Sequence, residues 1–216
     1  MTPAEAPAAY LDAVVAGSRR DAFAVVDAAL AAGMELRDLY LDVFQPALRE
    51  VGRLWQENRV TVAEEHLATA ITQAAMARLY DRLFARATGE GPLLLAACAD
   101  AERHEVGLRM ICDLLELEGW DTVYLGAAVP VEDLVGMVRG RRPDVVALSA
   151  SIAPHLPRVR EAVRAIRAAL PQGGPLIAVG GRAFRQDPEL AGWIGADLTA
   201  DDAAELAELL KERFQR

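Results

Sequence analysis

The second half of the chain alternates short apolar runs with helical segments, and this pattern constrains the fold more than any other feature. Five runs are apolar or β-branched: LLLAACA, DTVYLG, DVVALSAS, PLIAVGG and ADLTA. Helical periodicity occurs near residues 103–118, 131–139, 156–170 and 201–214. This alternation predicts a parallel sheet with helices on both faces. Five strands favour a flavodoxin-like order, in which ligands bind at the carboxyl ends of the strands.

The first half has a different pattern, with apolar and aromatic residues three and four positions apart. This spacing predicts helices from about residue 2 to 87, and the length fits four of them. Breaks are expected at residues 16–18, 32–33 and 57–59. Thr61 followed by Glu64 forms a capping box, so a helix is predicted from Thr61 to about Phe84.

Together the two patterns predict an α/β protein with an additional helical domain. A four-helix bundle is expected at residues 1–88, followed by a flavodoxin-like (Rossmann-like) parallel five-stranded sheet at residues 91–216. The 216 residues are 53% hydrophobic and 25% charged, which is typical of a globular protein.

Charge and targeting signals exclude several classes of function. The formal net charge of −9 argues against direct nucleic-acid binding, because phosphate binding needs a basic face. No recognisable DNA-binding module precedes the first helices. No segment reaches the roughly 18 apolar residues of a membrane span, and no signal peptide is evident, so a cytoplasmic location is expected. Cys98 and Cys112 lack the spacing of a disulfide framework or metal site and are interpreted as buried thiols.

A polar motif follows the first predicted strand, at the edge where such a sheet binds its ligand. Glu102, His104 and Gly107 form an E-x-H-x-x-G spacing in a loop and the first turn of a helix. By itself this triplet is also compatible with a solvated helix start that carries a lone histidine. The third strand ends in LSAS and the fourth in VGG, at the same edge. Paired glycines allow a ligand to approach the backbone or simply form a tight turn, and the serines also suit turns or helix caps.

These motifs resemble the signature of the cobalamin-binding domains. That signature is D-x-H-x-x-G, then S-x-L about forty residues later, then G-G after nearly thirty more. Here 41 residues separate Gly107 from Ser149, and 28 separate Ser151 from Gly180.

The resemblance includes the second strand and contains two departures. The segment LGAAVP, which contains Gly126, resembles the loop after the family's second strand. Glu102 replaces the usual aspartate, and Ser151 replaces the usual leucine. Because glutamate keeps the carboxylate, the assignment stands.

The resemblance implies a cofactor and a role for each residue of the motif. His104 would be the lower axial ligand of cobalt, in place of the dimethylbenzimidazole of cobalamin itself. Glu102 would bind the other ring nitrogen, which fixes the tautomer and raises the basicity of the imidazole. The displaced nucleotide tail would enter a slot lined by Ser149, Ser151, Gly180 and Gly181.

A second cluster lies at a break between two predicted helices of the first half. Trp55 is followed by nine residues and then by Glu65 and His66, with Val62 inside the interval. From the residues alone, Trp55 is compatible with a core position beside exposed first-turn acids. The W-x9-E-H spacing resembles the CarH-type adenosylcobalamin photoreceptors. That resemblance implies that the bundle covers the upper face of the corrin, with Trp55 against the adenosyl group and Glu65 and His66 hydrogen-bonding near it.

The two resemblances together predict a stand-alone light sensor without enzymatic activity. Photolysis of adenosylcobalamin would change the conformation or assembly of the bundle and signal to a protein partner, such as a transcription regulator, or through a homo-oligomer. Two alternatives remain open: a corrinoid methyl-carrier protein of a methyltransferase system, and an interaction module whose slot is empty. A bulky tryptophan favours sensing, since the upper face of a methyl carrier must open to its methyltransferase.

One residue departs from the photoreceptor pattern. In the CarH-type photoreceptors a histidine commonly follows the motif tryptophan and binds cobalt after illumination, but here that residue is Gln56. A neutral amide is a poor cobalt ligand beside imidazole. The usual bis-histidine product is therefore not expected through this position.

Overall fold

The computed structural model describes residues 1–85, 91–185, 187 and 189–214. The chain divides into two compact units, Met1–Ala85 and Arg86–Arg216. Within the described ranges, no helix is both long enough and apolar enough to cross a membrane.

The first unit is helical and begins with α1 (Ala6–Val15) and α2 (Arg19–Ala31). A continuous helical run follows, made of α3 (Leu36–Asp38), a π-helical stretch (Leu39–Phe44) and α4 (Gln45–Gln56). The α4 segment therefore ends directly after the motif tryptophan, as the sequence predicts.

The predicted helix from Thr61 to Phe84 begins where expected but is interrupted. Thr61 and Glu64 form the predicted capping box, with Glu64 N donating to Thr61 Oγ1 at 3.2 Å and Thr61 N donating to Glu64 Oε2 at 2.7 Å. The segment is divided into α5 (Val62–Ala77) and α6 (Tyr80–Phe84). At the break, Arg78 stacks on a phenylalanine of α2 and forms an ion pair with an aspartate of α2 at 3.0 Å. These tertiary contacts occur at the break between α5 and α6, which the helical periodicity of the sequence does not predict.

Aromatic residues form the centre of the helical unit. Tyr10 of α1 and Tyr40 of the π-helical stretch both pack against Phe44, with ring centroids 5.1 and 5.5 Å apart. The Tyr10 hydroxyl donates to Thr72 of α5 at 3.1 Å, so this buried polar group is satisfied. The cluster joins α1, the π-helical stretch and α5.

The second unit contains a five-stranded parallel sheet with the order β2-β1-β3-β4-β5. The strands are β1 (Leu93–Ala99), β2 (Asp121–Val129), β3 (Val145–Ser149), β4 (Leu176–Gly180) and β5 (Leu198–Ala200). This is the predicted flavodoxin-like order.

Helices cover both faces of this sheet. The helices α7 (Val106–Leu117) and α12 (Ala203–Phe214) pack on one face. The other face is covered by α8 (Val131–Arg141), α9 (Leu156–Ala169) and α11 (Glu189–Ile194), while the short α10 (Arg182–Arg185) follows β4.

The burial of strand β1 on both faces explains why its sequence is apolar throughout. Leu94, Ala96 and Cys98 face one buried layer, whereas Leu95 and Ala97 face the other. Successive side chains of a strand point to opposite faces, so a strand covered on both sides reads as a continuous apolar run. Among the described residues both cysteines are buried free thiols, and burial raises the pKa of Cys98 to about 12.

Candidate functional site

The site lies where β1 and β3 are neighbours and the chain leaves them toward opposite faces of the sheet. From β1 the chain enters α7 on one face, and from β3 it enters α9 on the other. Such a topological switch point is where open α/β sheets bind their ligands. The predicted site residues after the first, third and fourth strands lie at this edge.

A buried carboxylate is the centre of the site. Glu102 has no exposed surface, and each of its carboxylate oxygens accepts two hydrogen bonds. Oε1 accepts from the backbone N of His104 at 2.9 Å and from Nδ1 of the same residue at 2.5 Å. Oε2 accepts from the backbone N of Ser151 at 2.7 Å and from Nδ1 of His155 at 3.0 Å. The carboxylate thus joins the loops that follow β1 and β3.

These hydrogen bonds determine the charge of Glu102. Burial by itself raises the pKa of this carboxyl, but the hydrogen bonds from His104, Ser151 and His155 outweigh it and lower the pKa to about 2. Glu102 is therefore ionised at neutral pH. Both histidine rings donate to it through Nδ1, which fixes their tautomers.

His104 is oriented as a metal ligand would be. Its side chain is half-exposed, at 51%, while its Nδ1 is held by the buried Glu102. The nitrogen across the ring, Nε2, is the one that binds a metal in this arrangement, and a carboxylate on Nδ1 increases its basicity. The structure thus brings together Glu102 and His104 as the sequence predicts.

His155 belongs to the same cluster and was not predicted as a site residue. It ends the 3-10 helix Ala153–His155 and precedes α9. The only sequence signal was its position shortly after the third strand, because the contact joins residues 53 positions apart.

Ser151 contributes to the cluster through its backbone N–H. The sequence motif had instead selected this position for its small serine side chain. Ser149 pairs with Gly180 across β3 and β4. At Gly181, φ is +99°, and a Cβ would lie 2.5 Å from the carbonyl oxygen of Ala150. Glycine is therefore required at position 181 by the approach of the two strand ends, whatever else it does.

The remaining glycines of the motif have different surroundings. Gly126 has φ of +83° and lies where the register between β1 and β2 shifts. A Cβ there would lie 3.2 Å from Glu105 Oε2, which also accepts a hydrogen bond from the Tyr124 hydroxyl at 2.9 Å. Gly107 lies in the first turn of α7, and among the described residues nothing except its chain neighbours and the backbone of its own helix lies within 4 Å of the position of a Cβ there.

The tryptophan cluster lies in the helical unit, at the hairpin between α4 and α5. Trp55 is 40% exposed and Val62 is 53% exposed, so the interpretation of Trp55 as a core residue is wrong. Glu65 accepts a hydrogen bond from the Thr69 hydroxyl at 3.0 Å, and its carboxylate lies 3.5 Å from His66 Nε2. The hairpin therefore carries exposed apolar surface next to a Glu-His pair.

Two family models, each described as a B12 binding domain, match residues 8–80 and 92–210. The chain belongs to the B12-binding domain family. The matched ranges include both the tryptophan cluster and the carboxylate cluster.

Relatives of this B12-binding chain include regulators and corrinoid proteins. The HTH-type transcriptional repressor CarH of Myxococcus xanthus is 37% identical over 161 residues, which cover 74% of this chain and 52% of the repressor. The chain thus spans about half the length of that relative. Dimethylamine corrinoid protein 1 of Methanosarcina acetivorans is 22% identical over 210 residues, covering 93% of this chain and 90% of that protein.

A solved structure confirms the fold of this B12-binding chain. The Methanosarcina barkeri monomethylamine corrinoid protein superimposes with a TM-score of 0.83 at 21% identity, and the match covers 94% of this chain and 96% of that one. At this identity the comparison shows a shared fold.

The residues at the sheet edge fit a B12 cofactor. Imidazole is a good ligand for a metal of intermediate softness such as cobalt, and His104 is held by an ionised carboxylate in the orientation that such ligation needs. The ends of the neighbouring strands β3 and β4 carry small residues, Ser149, Gly180 and Gly181. Small side chains there leave the backbone accessible to a ligand.

Proposed function

We propose that the chain is a cobalamin-dependent light sensor that binds adenosylcobalamin and signals to a protein partner, such as a transcription regulator or a second copy of itself. The exposure of Trp55 carries this proposal. A tryptophan that is 40% exposed at the end of a helix hairpin, beside an exposed valine, offers apolar surface to a large ligand group. The W-x9-E-H spacing and the 37% identity to the CarH repressor support the same function.

Each cluster has a role in this proposal. His104 would bind the cobalt, Glu102 would orient the imidazole, and the small residues after β3 and β4 would admit the nucleotide tail. Trp55 and Val62 would offer apolar surface to the adenosyl group, and Glu65 and His66 would offer hydrogen bonds to it. Adenosylcobalamin would supply a light-sensitive cobalt–carbon bond, and the helix hairpin that carries Trp55 would transmit the signal.

The test of this proposal is one series of measurements on the full chain. The protein is loaded with adenosylcobalamin in the dark and illuminated with green light, and its absorbance and elution volume are followed together. A light-dependent spectral change accompanied by a shift in elution volume supports a sensor. Identical elution volumes in dark and light, with and without candidate regulator proteins, would contradict it.

A corrinoid methyl carrier is the second candidate function. It is favoured by the match to dimethylamine corrinoid protein 1, which covers about nine tenths of both chains. A methyl carrier should bind methylcobalamin at least as tightly as adenosylcobalamin, because its upper face must accommodate a methyl group and a partner enzyme. A clear preference for the adenosyl form supports the sensor instead.

Replacing Trp55 with alanine is expected to reduce the preference for adenosylcobalamin over methylcobalamin by about tenfold. An aromatic contact of this kind contributes about 0.5–1.5 kcal/mol beyond the area it buries, and it is available only to the larger upper group. Equilibrium titrations with both cobalamins measure the ratio of dissociation constants. Trp193→Ala is the matched control, because Trp193 is similarly exposed, at 44%, but lies in α11 of the other unit. An unchanged ratio in Trp55→Ala would remove Trp55 from the site.

Replacing Gln56 with histidine is expected to give the illuminated protein the absorbance of a bis-imidazole cobalamin, which the parent lacks. Gln56 ends α4 directly after Trp55, and its amide is a much weaker cobalt ligand than imidazole. Spectra of parent and variant before and after illumination provide the comparison. His66→Ala and His155→Ala in the parent are the controls, since these are the histidines of the chain besides His104. A stable bis-imidazole spectrum in the parent that survives both controls would show that the role assigned to position 56 is wrong.

A further inference from the structure

Glu102 has a second histidine partner that lower-ligand chemistry does not require. The carboxylate already orients His104 through Oε1, and Oε2 already accepts a hydrogen bond from the backbone N–H of Ser151. His155 nevertheless donates to Oε2 at 3.0 Å and is largely buried, with 17% of its side chain exposed. A histidine that is buried on a buried carboxylate calls for an explanation.

The length of the Glu102 side chain explains why a second histidine partner is useful. Glu102 has one methylene and one rotatable bond more than an aspartate would have at this position. A longer side chain has more rotamers, so fixing its carboxylate needs more partners. The donor from His155 provides that restraint, because it comes from the start of α9 and approaches the oxygen that does not face His104.

We propose that His155 is a positioning residue for the cofactor: it holds the carboxylate of Glu102 so that Oε1 stays aimed at Nδ1 of His104. His155 acts through Glu102 and does not contact the cobalt. Loss of its donor lets the carboxylate turn away from His104, so the imidazole becomes a weaker and less well-oriented cobalt ligand. The inference rests on the proposed role of His104 as lower ligand.

The test compares two variants of nearly equal size. His155→Asn keeps a side-chain N–H in place of Nδ1, whereas His155→Leu removes it. Both variants, as the whole chain, are prepared with 15N-labelled protein and loaded with unlabelled adenosylcobalamin in the dark, and absorbance gives the fraction of bound cofactor that carries a lower nitrogen ligand. Electron paramagnetic resonance of the reduced cobalt(II) form then separates the 15N doublet of a protein imidazole from the 14N triplet of the cofactor's own dimethylbenzimidazole, and so gives the fraction that carries the His104 ligand. Unfolding of each apoprotein is followed by circular dichroism.

We expect His155→Leu to weaken cobalamin binding by about tenfold and to lower the His104-ligated fraction, as is typical when an outer partner of a metal ligand is lost. His155→Asn should stay close to the parent in its affinity for cobalamin and in its His104-ligated fraction. Equal ligated fractions in the parent and the leucine variant would overturn the inference. The inference would also be overturned if the ligated fraction fell in both variants in proportion to the loss of stability of their apoproteins.

His104→Ala distinguishes this inference from the function on which it rests. If His104→Ala loses the 15N splitting while His155→Leu keeps it at the parent's level, His104 is the ligand and the role of His155 is wrong. If His104→Ala keeps the 15N splitting, the lower-ligand assignment is wrong and the inference falls with it.

Discussion

Replacing His104 with alanine is expected to weaken cobalamin binding by about 100-fold or more and to remove the absorbance of the imidazole-ligated cofactor. Mutation of the outer partners of a metal ligand typically costs 10–100-fold in affinity, so loss of the ligand itself should cost at least the upper end of that range. The variant also leaves the buried Glu102 without its shortest side-chain hydrogen bond. Titration of the apoprotein with adenosylcobalamin in the dark measures both effects.

Arg103→Ala is the control for this measurement. Arg103 lies next to His104 in the same loop but is exposed, so its loss should leave affinity and spectrum close to the parent. If His104→Ala binds as tightly as Arg103→Ala and gives the same spectrum, the site assignment at the sheet edge is wrong.

Replacing Gly181 with alanine is expected to lower the free energy of unfolding by about 2–4 kcal/mol. The backbone there has φ of +99°, which an L-residue adopts only with strain of about 1–3 kcal/mol. The added Cβ would also lie 2.5 Å from the carbonyl oxygen of Ala150, a backbone atom that cannot move without disturbing the end of β3. Urea denaturation of the apoprotein, followed by circular dichroism, measures the change.

Gly136→Ala is the matched control for the glycine substitution. Gly136 lies within α8, and in the part of the chain that the structure describes only its chain neighbours and the backbone of its own helix lie within 4 Å of the position of a Cβ there. Alanine is favoured over glycine in a helix interior by about 0.5–1 kcal/mol, so this variant should be slightly more stable than the parent. If the two substitutions have the same effect on stability, the close approach at the end of β4 is not a constraint on the fold.

The fold of the α/β unit was predictable because its signals are local. Strand β1 is apolar at every position because its alternate residues enter two different buried layers, and that requirement is visible in seven consecutive letters. The capping box at Thr61 is equally local, with both hydrogen bonds between residues three positions apart.

The deviations within the helical unit depend on packing between distant residues. The break after α5 accompanies contacts of Arg78 with α2, about fifty residues earlier. The π-helical stretch places Tyr40 and Phe44 in the aromatic cluster with Tyr10 of α1. Helical periodicity continues through both places, so the pattern predicts helix without its interruptions.

The candidate site was predictable only in part, for the same reason. Glu102 and His104 are two positions apart, and their spacing is part of a recognisable motif. The contact of His155 with Glu102 exists only because β3 lies beside β1 in the sheet. The exposure of Trp55 also depends on how α4 ends, and apolar periodicity does not distinguish a core tryptophan from an exposed one at a helix terminus.

The four hydrogen bonds to Glu102 have a consequence for the energetics of cofactor binding. They join the loop after β1, the loop after β3 and the 3-10 helix before α9 through protein contacts alone. Fixing the backbone of a loop residue costs about 1–2 kcal/mol of conformational entropy. For these loops that loss belongs to folding. If His104 binds the cofactor as proposed, cobalamin would therefore meet loops that are already ordered, and more of its interaction energy would remain as affinity.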